Sequence, residues 1–179
     1  MEGKPIYYRG YQDVINQYKS FEEIMGCSSL QSFIISYLNT IFYTKINLSQ
    51  YHQLGGEIGY HITKKNNLSG DYAIFLKTPA FIAEIGKKYL TIPPLVAIEI
   101  DIQIETSTYS EDSYLLTKTQ KLLDWGVPKV IWILSGPQKV VVATKDASWQ
   151  IMDWNNNVEL LDGLTINVGA YLKEQKIKI

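Results

Sequence analysis

A single cysteine, Cys27, stands in 179 residues. No internal disulfide can form, and neither can a thiolate zinc cluster. A small packing residue is the ordinary role of such a cysteine. The two histidines, His52 and His61, have no metal-like spacing with each other or with Cys27, and both read as structural or exposed. No run reaches the roughly 18 apolar residues of a spanning helix. The opening MEGKPIYYRG has no apolar segment of a signal peptide, so a cytoplasmic location and no membrane partner are expected. Neither sign of charge prevails: 17 basic against 18 acidic residues leave a formal net charge of −1. That excludes a protein that coats nucleic acid through bulk charge, and leaves room for a local basic groove. Internal repeats, low-complexity tracts and Pro/Gly/Ser-rich linkers are also lacking. The length then predicts a single domain over residues 1–179.

What is present is a clear alternation of patterns. Residues 11–25 are weakly helical. A stronger helix starts at Ser28 or Ser29, either of which can cap it, with Leu30, Phe33, Ile34, Tyr37, Leu38 and Ile41 at helical spacing. Strands over 57–63 and 71–76 flank a polar turn at 64–67 and predict a hairpin. Residues 78–90 hold at most a short helix. Pro93 and Pro94 lead into a strand over 95–105, LVAIEIDIQIE. Thr108 and Glu111 form a capping-box pattern for a helix over 109–125 that stops at Gly126. A strand over 130–134 follows, and strand–helix–strand predicts a parallel crossover. Further strands over 139–144, 149–153 and 158–161, the turn pair Asp162-Gly163 and a short helix over 167–175 complete an α/β chain with a mixed sheet.

The strand over 95–105 is the unusual element. Alternation puts Val96, Ile98, Ile100, Ile102 and Ile104 on one face and Glu99, Asp101, Gln103 and Glu105 on the other. A wet antiparallel face accounts for such acids without any chemistry. A strand that enters a crossover helix is instead covered on both faces, where carboxylates must be paired, protonated or metal-bound. Glu99 and Asp101 lie roughly 6.5 Å apart along the strand, close enough to repel when both are ionised. A hard cation such as Mg²⁺ removes that conflict. Asp71, at the start of its strand, is either a strand-end aspartate or a third acid. On the helix, Tyr114, Lys118, Lys121 and Trp125 form one stripe, beside Leu115, Leu116, Leu122 and Leu123, which should pack on the sheet. Lys118 then sits at the edge of the packed face, as a snorkelling surface lysine or as a group reaching back over the strand.

Gly70-Asp71, then Pro94 to Ile100 with Glu99, then Lys118 eight residues before Gly126-Val127, then Val130 to Ile133 with Trp132, form a spaced series. The series resembles the restriction-endonuclease-like PD-(D/E)xK nucleases, and more narrowly a large bacterial family of nuclease-like proteins known as Uma-two. Gly70 stands where that family has proline, and Asp101 stands where a lysine would follow the acid by two. The resemblance implies a restriction-endonuclease-like mixed sheet flanked by helices, extended by a C-terminal β-hairpin. It implies metal-assisted hydrolysis of DNA phosphodiesters, with Asp71 and Glu99 holding Mg²⁺ or Mn²⁺. The Ile100 carbonyl and Asp101 are further candidate ligands, and Asp101 could alternatively hold Lys118. Lys118 would orient water and stabilise charge at the scissile phosphate. Glu57, Lys121 and Gln31 are candidates for a more distant support of that centre.

DNA contact is expected to be local, because Lys64-Lys65, Lys87-Lys88 and Lys173, Lys176 and Lys178 are the only dense basic spots. Nucleases that cut both strands often pair subunits, so a homodimer is expected by analogy, and thirteen tyrosines leave material for an interface. Two other readings stay open: a non-catalytic binding or assembly module on the same scaffold, and a phosphohydrolase acting on small molecules.

Overall fold

The computed structural model describes residues 6–64, 66–101 and 110–179. The elements run α1 Tyr11–Ile15, α2 Ser29–Lys45, β1 Tyr51–Thr63, β2 Asn66–Leu76, α3 Pro79–Glu84, β3 Val96–Ile100 and α4 Glu111–Trp125. They continue with β4 Lys129–Leu134, β5 Lys139–Thr144, β6 Gln150–Asp153, β7 Val158–Leu161, β8 Leu164–Ile166 and α5 Val168–Glu174. Strands β1 to β6 form one sheet in sequence order, and β7 and β8 form a separate hairpin near the C-terminus. Among neighbouring strands of the described residues, β3 and β4 alone pair in parallel, with Glu99 opposite Trp132; the others are antiparallel. This is the mixed α/β architecture that the order of patterns predicts.

Both faces of the sheet are covered. On one, Tyr72, Ile74, Ile98, Ile100, Ile131 and Ile133 pack under α2, α5 and the β7–β8 hairpin. On the other, Ala73, Phe75, Ala97, Val130, Trp132 and Val141 pack under Phe81 of α3 and Leu115, Leu122 and Leu123 of α4. Every residue of β3 is buried, Glu99 included.

Local chemistry explains the boundaries. Ser28 caps α2 by accepting from the Gln31 N–H, and Thr78 caps α3 in the same way through Phe81. Gly126, at φ 112°, ends α4 in a left-handed conformation that only glycine adopts freely. Several expectations need correction. The helix over 11–25 shrinks to Tyr11–Ile15, because nothing buries its apolar residues. The hairpin strands extend to Tyr51 and Asn66. Helix α4 is capped by Ser110, whose hydroxyl accepts from the Ser113 N–H; Thr108 lies outside the described residues. Leu116 is exposed rather than packed. The residues of α4 that are buried are Leu115, Lys118, Thr119, Leu122 and Leu123, spaced as the core stripe of a helix. Lys118 thus sits in the middle of that stripe and not at its edge.

Candidate active site

Strand β3 ends at Ile100, five residues short of the alternating pattern. Asp101 turns the chain at φ 59°. Its N–H still donates to the Ile133 carbonyl at 2.9 Å. Its carboxylate accepts from the Ser135 N–H at 2.6 Å and the Ser135 hydroxyl at 2.8 Å. A side chain that bonds this way competes with the ladder and breaks the alternation. Asp101 therefore does not continue the face of Glu99; it ties the end of β3 to the end of β4. Gln103 and Glu105 lie outside the described residues.

Strand β1 changes course at the same level. Gly55 is opposite Tyr72 and Ile58 is opposite Gly70, so Gly56 and Glu57 together face the single residue Asp71. Both are left-handed, at φ 82° and 39°. A bulge of this kind re-aims side chains and opens the ladder. Asp71 uses the opening to turn inward, and its Oδ2 accepts from the Ile100 N–H at 2.7 Å. Gly70, where proline was expected, has a packing reason. A Cβ there would lie 2.7 Å from the Tyr60 hydroxyl.

Between the splayed strands and α4 lies the centre. The Lys118 ammonium donates to Glu99 Oε2 at 2.6 Å, and both residues are 3% exposed. The ammonium also lies 5.5 Å from the ring centres of Tyr114 and Trp132, within cation–π range. The Trp132 indole N–H donates to Thr119 Oγ1 at 2.8 Å, which fixes the ring against the helix. Glu99 Oε1 is buried and has no hydrogen-bond partner among the described residues.

Burial pushes the Glu99 carboxyl up to about 7, with Lys118 pulling it down and Asp71 adding to the rise. Burial also raises Asp71, partly offset by the Ile100 N–H and Lys118. Burial opposes the charge on Lys118, yet Glu99 and the other groups around it hold the ammonium above its usual value. A fixed cation thus sits beside two acids that give up protons reluctantly.

A cavity of about 130 Å³ opens onto this centre. Of the residues singled out in the sequence, Asp71, Glu99, Ile100, Asp101, Lys118, Glu57 and Gln31 line it, and Lys121 does not. Tyr8, Tyr114, Trp132 and the bulge at Gly56 also line it. The Gly55-Gly56 pair inside a strand pattern was the available signal for that bulge; nothing in the sequence marks Tyr8.

The donor set suits a hard cation. A buried carboxylate oxygen without a partner on Glu99 and a carboxylate on the adjacent strand are oxygen ligands of the kind Mg²⁺ accepts alongside water. Among the described residues no group of three or more His, Cys, Asp or Glu side chains is arranged to hold a metal. Water or substrate oxygens would have to complete the coordination.

No family model matches this chain, and no curated protein does. A solved structure does resemble it: a "putative nuclease belonging to DUF820" from Anabaena variabilis. The TM-score is 0.57 at 15% sequence identity, over 80% of this chain and 78% of that one. At that identity the likeness shows a common fold. No helix among the described residues is long and apolar enough to cross a membrane.

Proposed function

We propose that the chain is a metal-dependent phosphodiester hydrolase acting on nucleic acid, with Asp71, Glu99 and Lys118 as its working residues. The observation that carries this reading is the buried Glu99–Lys118 pair beside Asp71, at the floor of an open cavity. A buried ion pair contributes little net stability compared with apolar residues of similar size. Its place on the core stripe of α4 therefore argues for use rather than for packing. The fold shared with a protein described as a nuclease supports the same reading.

Asp71 and Glu99 would hold Mg²⁺ or Mn²⁺ from adjacent strands, with the carbonyl of Ile100, a residue of the cavity lining, as a further candidate donor. When bound, such an ion lowers the pKa of water and neutralises phosphate charge. Lys118 presents a fixed positive charge to the scissile phosphate, held in place by Glu99 and the two aromatic rings. Asp101 contributes by fixing the ends of β3 and β4 through Ser135 rather than by ligation. DNA is the expected polymer. Localisation in the cytoplasm and a homodimeric assembly belong to the same proposal.

Calorimetry with Mg²⁺ and Mn²⁺, beside hydrolysis of plasmid and oligonucleotide substrates, tests it. Wild type should bind one ion and cleave, EDTA should abolish cleavage, and Glu99→Gln or Asp71→Asn should each lose at least ~100-fold in rate. Neither binding at millimolar metal nor cleavage would overturn the hydrolase. A non-catalytic assembly module would then stand.

A further inference from the structure

The N-terminal segment has no task in that reading. No residue from Ile6 to Ser28 is buried. Yet both its ends reach the site: Tyr8 at one, and Met25, Gly26 and Cys27 at the other, line the cavity. The Tyr8 hydroxyl donates to Glu57 Oε1 at 2.8 Å, at the bulge opposite Asp71. Arg9 pairs with Glu111 in the first turn of α4, the helix that carries Lys118. The segment is thus fastened on both sides of the cavity, to β1 and to α4, by exposed polar contacts. Contacts of that kind hold weakly, and a segment without buried residues opens locally at small cost.

The cavity left beneath has room for a phosphodiester group and a few waters. It has none for a double helix, whose major groove alone is ~12 Å wide. A single strand can bend one phosphate down to Lys118, and exposed tyrosine rings at a mouth offer stacking to its unpaired bases. Tyr8, 40% exposed, is such a ring.

Resting on the hydrolase reading of this centre, we propose that residues 6–28 form a strap that makes the site selective for single-stranded nucleic acid. The Tyr8–Glu57 hydrogen bond is the latch that keeps duplex out. Duplex reaches the acids only when the strap lifts, and a single strand enters beneath it.

Binding without metal separates this from catalysis. The full chain is titrated in EDTA against a labelled single-stranded oligonucleotide and against the same sequence as duplex, with fluorescence anisotropy as readout. Wild type should prefer the single strand. Tyr8→Phe and Glu57→Ala should each shrink that preference about fivefold, the factor set by one hydrogen bond of ordinary net strength. The double variant should go no further, because both changes open one latch. Arg9→Ala releases the other fastening and should act in the same direction. All three positions concerned are exposed, so the variants should keep the wild-type circular dichroism. An equal preference in all proteins, a wild type that favours duplex, or no binding of either form overturns the strap. Cleavage is assayed separately with Glu99→Gln as control. A shifted preference without cleavage would remove the hydrolase and keep the strap, and cleavage with an unshifted preference would do the reverse.

Discussion

The two faces of β3 are equally buried and differently made. Ile98 and Ile100 enter an apolar layer under α2 and α5. Two positions that alternate with them, Ala97 and Glu99, face α4, where Glu99 meets Lys118 in the middle of a leucine stripe. The first face is organised for cohesion. The second gives up apolar contact at its centre to hold one charge pair out of water. Depth alone therefore does not distinguish an apolar packing position from a charged one; the chemistry of the partner does.

The sharpest way to break this comparison is to remove one charge. Lys118→Met leaves Glu99 buried without its partner and should cost about 3–5 kcal/mol at neutral pH. Adding Glu99→Leu should recover that loss, and the double variant should match or exceed wild type by up to about 4 kcal/mol in urea denaturation. A double variant as unstable as Lys118→Met would show that the pair serves cohesion after all.

Titration sharpens the comparison further. The Glu99 carboxyl has a folded pKa of about 7 against an ordinary 4.5, so the folded chain holds that proton more tightly than the unfolded one. Stability from this group is full below about pH 4.5 and is lost as pH rises through about 7, by up to roughly 3 kcal/mol. Asp71 is raised too and adds in the same direction. Thermal unfolding of wild type and Glu99→Gln across this window should diverge with rising pH in favour of the variant. Parallel curves would place the pair in a wetter setting.

The smallest effect tests the orientation of α4. Leu116→Ala should change stability by no more than about 0.5 kcal/mol, whereas Leu122→Ala should cost about 2–5 kcal/mol. Comparable losses would mean that the stripe faces elsewhere.

Much of the fold was legible because patterns of period two and 3.6 alternate cleanly. The hairpin, the parallel crossover and the glycine stop of α4 all follow from them. The pattern failed where a side chain outbid the backbone. The alternation of 95–105 continues past Ile100, but Asp101 bonds Ser135 and turns left-handed. Apolar residues in 11–25 suggested a longer helix, and Leu116 a core position, because composition does not reveal what lies opposite. Asp71, Glu99 and Lys118 were singled out through the resemblance to a nuclease family, and the structure brings them to one cavity. Tyr8 was not, since its contact with Glu57 spans 49 residues and depends on a bulge.

The parallel pairing of β3 with β4 also sets an order of assembly. The site is tied together by contacts 19, 29 and 34 residues apart along the chain, from Glu99 to Lys118, Asp71 to Ile100 and Asp101 to Ser135. Contacts of such reach form only after the intervening loops have closed. During synthesis both acids emerge before the lysine that neutralises one of them and the serine that anchors the end of β3. A chain halted ahead of Ser135 would hold Asp71 and Glu99 beside an unanchored crossover, so the chemistry of the centre arrives only with completion of the sheet around it.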